Sequence, residues 1–79
     1  MSSSEERVYK IWCDVFKRND IDIEDNFFEI GGNSLIGMKI ITILNKELER
    51  IDVTDFFEYQ TIKDIAAKID RDYKWRKQP

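Results

Sequence analysis

Among the residues of this 79-residue chain, Ser34 has the setting best suited to chemistry. It follows Gly31, Gly32 and Asn33, opens the apolar run Leu35–Ile36, and has the last of the chain's three glycines, Gly37, just beyond it. Its hydroxyl does not fit a hydrolytic nucleophile, because the chain has no histidine to act as base and Gly-Gly-Asn-Ser-Leu is not a G-x-S-x-G elbow. Asparagine and serine are both preferred N-caps, worth about 1 kcal/mol, but capping needs no pair of glycines. Gly31 and Gly32 allow positive φ and remove bulk beside the hydroxyl. Gly37, which costs about 1 kcal/mol inside a helix, is expected to clear the surface one turn further on. Three positions without side chains around one hydroxyl, at a helix start that favours anions, fit an acceptor of a phosphate ester.

The other reactive groups lead elsewhere. Cys13 lies off the apolar stripe of its segment and has nothing nearby to activate it, so it is expected to be a partly exposed, inert thiol. Asp20, Asp22, Glu24, Asp25 and Glu29 resemble a calcium loop only superficially, because the central glycine and closing glutamate of that pattern are missing. They read as a solvated acidic loop. No metal site is expected, and without histidine most familiar catalytic arrangements are excluded.

Ser34 needs elements to hold it. Val8, Ile11, Trp12, Val15 and Phe16 repeat at helical spacing, with Ser3 and Glu6 as a capping box, predicting a helix over about 4–17. Residues 18–33 show no helical period and form a long loop packed by Ile21, Ile23, Phe27, Phe28 and Ile30. A second helix, 34 to about 48, places Ile36, Ile40, Ile41, Ile43, Leu44 and Leu48 on a core-facing arc of about 160°. Leu35 and Met38 fall on the opposite side, around Thr42, with Lys39 and Lys46 beside them. Ile51, Val53, Phe56 and Phe57 predict a short helix near 53–58. Thr61 and Asp64 then cap a fourth over 62–72, with Ile62, Ile65, Ala66, Ile69 and Tyr73 inward. The fold class is all-α: a four-helix bundle of three longer helices and one short one, in one domain with a core of about 4–72 and a basic tail, 73–79, that frays outward. Trp75 in that tail has no assigned role.

Charge and composition narrow the function. Residues 1–33 hold eight acids and four bases, and residues 34–70 hold seven and five. Only residues 71–79 are basic, with four bases and one acid. An acidic body with a net charge of −3 argues against a nucleic-acid backbone as partner. No apolar run approaches the roughly 20 residues of a bilayer span, and MSSSEER is not a signal peptide. With a single cysteine, a cytoplasmic location and a monomer are expected. The initiating Met and four-residue leader hint at a discrete protein, and an excised domain would look the same.

At DNFFEIGGNSL, residues 25–35, the chain resembles the thiolation motif of peptidyl carrier proteins of nonribosomal peptide synthetases, within the phosphopantetheine-binding acyl carrier family. VYKIWCDVF is similar to that family's first helix, and DFFEYQTIKDIAAKI to its third and fourth. The resemblance implies that Ser34 receives covalent 4′-phosphopantetheine from coenzyme A through a separate phosphopantetheinyl transferase. An adenylation enzyme then loads an amino acid as a thioester for condensation, tailoring or thioesterase enzymes, and the carrier itself catalyses nothing. It further implies recognition through Gly32, Asn33, Leu35, Met38 and Thr42. Three features depart from the family pattern: Asn33 stands where His or Asp is frequent, Gln60 replaces a frequent proline, and the connection after the second helix is about one residue short and lacks its usual glycine. The alternatives are an unmodified helical adaptor that binds through Leu35 and Met38, and a module regulated by phosphorylation of Ser34.

Overall fold

The computed structural model describes the backbone of residues 1–47 and 51–77, and the side chains of residues 1–46 and 51–71. Its four helices are α1, Ser3–Phe16; α2, Ser34–Glu47; α3, Val53–Tyr59; and α4, Ile62–Lys77, with no strand among the described residues. The expected stripes form the core. Val8, Ile11 and Trp12 of α1 meet Ile40, Ile41 and Leu44 of α2, Phe56 of α3, and Ile62, Ile65, Ala66 and Ile69 of α4. α1 packs on both α2 and α4, while the short α3 bridges α2 and α4. Leu48 and the Tyr73 side chain, both assigned to the core by periodicity, lie outside the described residues.

Helix ends differ from expectation in two places. The capping box joins Ser2 and Glu5 rather than Ser3 and Glu6: Glu5 N–H donates to Ser2 Oγ at 3.1 Å, and Ser2 N–H to Glu5 Oε1 at 2.7 Å. SSSEE contains the S-x-x-E spacing in two registers, and the earlier one starts the helix a residue sooner. α4 continues to Lys77 instead of ending near residue 72, because no glycine or proline interrupts the chain before Pro79. The Thr61 cap is as expected, its Oγ1 accepting from Asp64 N–H at 3.1 Å.

An aromatic cluster joins the loop to the helices. Phe27 is fully buried, edge-on to Trp12 at 5.5 Å and to Phe56 at 5.3 Å between ring centroids. The Trp12 indole N–H has no acceptor among the described residues. An unpaired buried donor costs about 1–3 kcal/mol. Burying an aromatic of roughly 150–250 Å² at about 25 cal/mol/Å² contributes about 4–6 kcal/mol, so packing prevails. Phe28, expected to pack inward with its neighbour, is instead 45% exposed and stacks on Phe57 at 5.9 Å. Successive rings cannot both face the core here, and Phe27 takes the inner position.

The long loop is fastened rather than free. Phe27 N–H donates to Gln60 O at 2.7 Å, Lys63 N–H to Ile23 O at 3.0 Å, and Asn26 Nδ2 to Gln60 Oε1 at 2.8 Å. Its polar residues make turns: Asn26 Oδ1 accepts from Phe28 N–H, Asp25 Oδ2 from Asp22 N–H, and Asp22 Oδ1 from Glu24 N–H. Arg18 grips Asp20 with two donors, at 2.7 and 3.1 Å, and reaches Ile30 O at 3.2 Å. The guanidinium hydrogen bond holds the exposed Asp20 carboxyl below its ordinary titration range. Gln60 closes α3 in the left-handed region, φ 57°, with its N–H on Phe56 O. Proline, fixed near φ −65° and without that N–H, cannot occupy this backbone.

Candidate functional site

The loop delivers the chain to the start of α2 through Gly31, whose φ of 107° is a conformation that side chains resist. Asn33 then caps the helix: its Oδ1 accepts from Ile36 N–H at 2.9 Å, and its carbonyl accepts from Gly37 N–H at 2.8 Å. With the cap taken by Asn33, Ser34 is the first helical residue. Its side chain is exposed, and its hydroxyl has no hydrogen-bond partner among the described residues. The amides of Ser34 and Leu35 are first-turn donors for which the helix supplies no acceptor.

Gly31 has the positive φ expected of it, while Gly32 and Gly37 have reasons other than those the sequence suggests. Only Gly31 faces open space. A Cβ on Gly32 would stand 2.5 Å from Phe27 Cε2 and 2.6 Å from Phe27 O, so this position lets the backbone close on the buried ring. Gly37 is buried, and a Cβ there would meet Phe57 Cζ at 2.5 Å. It admits α3 against α2 and does not clear the surface beside the hydroxyl. Room around Ser34 comes from its place at the tip of the helix.

The outward face expected of α2 is present, with Leu35 68% and Met38 44% exposed. Thr42 is exposed as well, its Oγ1 donating to Met38 O at 2.8 Å. Gly32 and Asn33 join this neighbourhood through the loop, but both are engaged in holding it: Gly32 under Phe27 and Asn33 as the cap. Exposed Phe28, on Phe57, is an apolar surface that sequence reasoning assigned to the interior. Its signal is the Phe27–Phe28 pair itself, since adjacent residues seldom share one face.

An exposed hydroxyl at the start of a helix, without a hydrogen-bond partner among the described residues, can accept a covalently attached group. The chain belongs to the family described as phosphopantetheine attachment site, which matches residues 6–69. It is a non-catalytic carrier of covalent 4′-phosphopantetheine. Bacitracin synthase 2 of Bacillus licheniformis is 32% identical over 75 residues, covering 95% of this chain and 3% of that protein. Indigoidine synthase of Dickeya dadantii is 38% identical over 68 residues, covering 85% of this chain and 5% of that protein, so the chain spans a small fraction of the length of these curated relatives. The peptidyl carrier protein solved with the phosphopantetheine transferase Sfp and coenzyme A is similar at 29% identity and TM-score 0.84, over 90% of this chain and 94% of that one. The start of α2 suits a phosphate ester, with a free, exposed oxygen beside two uncommitted amides. No helix among the described residues is long and apolar enough to cross a membrane.

Proposed function

We propose that Ser34 is the attachment residue and that the chain serves as a peptidyl carrier in nonribosomal peptide synthesis. The observation that supports the assignment is the division of labour at the helix start: Asn33 spends its side chain on the cap, and the exposed Ser34 hydroxyl has no partner among the described residues. When bound, the prosthetic group supplies a thiol that holds an aminoacyl or acyl group as a thioester. The chain's own residues position the attachment. Asn33 and Gly31 set the direction of the helix start, and the first-turn amides face the phosphate's charge. Gly32, Asn33, Leu35, Met38 and Thr42 form the surface offered to a phosphopantetheinyl transferase, an adenylation enzyme, and condensation, tailoring or thioesterase enzymes. The protein acts as a cytoplasmic monomer without nucleic-acid or membrane partners.

Incubation with coenzyme A and a promiscuous phosphopantetheinyl transferase, followed by intact mass, tests this directly. One added phosphopantetheine, absent in Ser34→Ala, is expected. The substitution should leave the fold unchanged, because the cap belongs to Asn33. An unmodified mass refutes the assignment and favours the unmodified adaptor, and a gain that persists in Ser34→Ala refutes Ser34 as the attachment residue.

A further inference from the structure

α1 and α2 leave between them an open cleft of about 450 Å³, lined by Asp14, Val15, Lys17, Lys39, Thr42 and Ile43. Val15 and Ile43 are half-buried and packed on the core, giving an apolar floor. Asp14, Lys17 and Lys39 stand exposed at its margin, and none of these side chains has a hydrogen-bond or ion-pair partner among the described residues. Three uncommitted charges around an apolar floor suit a small molecule with both kinds of surface. The cleft's volume falls within the roughly 300–1,000 Å³ of small-molecule sites.

We infer that this cleft is a resting place for the end of the arm carried on Ser34, and that it receives an amino acid with an apolar side chain. The inference rests on Ser34 being the attachment residue. The side chain lies on Val15 and Ile43, the free α-ammonium faces Asp14, and Lys17 and Lys39 donate to the arm's carbonyl oxygens. Reach permits it. Lys39 and Ile43 lie about 7.5 and 13.5 Å along α2 from Ser34 at about 1.5 Å per residue. An extended pantetheine arm matches about five extended residues, roughly 17 Å. Leu35, four residues before Lys39 and seven before Thr42, continues the same helical stripe back toward Ser34 as an apolar step along the way. Tethering supplies an effective concentration of order millimolar, so a contact too weak to hold a free amino acid is populated, and its weakness lets the group leave for the next enzyme.

The test compares amide NMR spectra of the ¹⁵N-labelled protein carrying the bare arm, an L-leucyl arm with an amide in place of the thioester, and a 4-methylpentanoyl arm lacking the ammonium. All three are loaded from the matching coenzyme A analogues and verified by mass. Expected are leucyl-dependent shifts at Val15, Lys17, Lys39 and Ile43, at least halved with 4-methylpentanoyl and halved again for the leucyl arm on Asp14→Asn. Loaded protein whose leucyl-dependent shifts are absent, or confined to residues 33–37 or to α3, overturns the cleft and leaves the attachment standing. Loaded protein in which the ammonium and Asp14 make no difference overturns the assigned amino-acid recognition. Failure to gain mass at Ser34 overturns both proposals.

Discussion

Gly32→Ala isolates the contact that seats the loop under α2. The new Cβ would lie 2.5 and 2.6 Å from two Phe27 ring atoms and 2.6 Å from the Phe27 carbonyl oxygen, where ordinary contact begins near 3.5 Å. Relief requires a movement of about 1 Å from a ring that is 0% exposed and hemmed in by Trp12, Phe16, Phe28, Phe56 and Phe57, or from backbone. Overpacking of this kind costs about 1–3 kcal/mol, and the upper half of that range applies where nothing can yield. Alanine also stiffens the unfolded chain, returning about 0.4–1 kcal/mol. The net loss is about 2 kcal/mol, which for a domain of this size lowers Tm by about 8–16 °C. Thermal unfolding followed by circular dichroism measures it. Combining Gly32→Ala with Phe27→Leu should fall short of the summed losses by about 1 kcal/mol, because the smaller side chain removes the ring contact. A Gly32→Ala protein melting within about 2 °C of the parent would refute the contact as the reason for glycine.

Further substitutions probe the other fixed points. Asn33→Ala should lose about 1 kcal/mol in chemical denaturation while Asn33→Asp keeps most of it, since aspartate can accept from Ile36 N–H. Gln60→Pro should destabilise by about 3 kcal/mol in the same assay, by demanding the wrong φ and removing the N–H that bonds Phe56 O. Asp20 titrates below its ordinary value of 3.8, so the stability it contributes is present above that value and lost as pH falls through the lowered one. Carboxyl NMR of Arg18→Gln should show Asp20 titrating back in the ordinary range.

Much of the architecture was legible because apolar spacing is local. Val8, Ile11 and Trp12, or Ile62, Ile65 and Ile69, declare a buried face without reference to any other segment. Leu35 and Met38 were legible as outward for the same reason. What escaped depends on contacts between distant segments. Gly37 and Phe57 are twenty positions apart, and only the crossing of α2 and α3 makes that glycine a packing requirement. Phe27 and Phe28 are chemically alike, so the choice of which enters the core follows from Trp12 and Phe56. Ser34 was singled out by its neighbours' types, although two of those neighbours serve the interior. The capping box slipped by one residue because repeated serines and glutamates leave the spacing degenerate.

Of the three bonds that fasten the loop to Gln60 and Lys63, two, Phe27 to Gln60 and Lys63 to Ile23, run from peptide N–H to peptide carbonyl. Such bonds are blind to side-chain identity, proline excepted at the donor. Substitutions can therefore rewrite many letters of this connection while these two bonds persist. Main-chain atoms thus form a seam that most substitutions along it leave available.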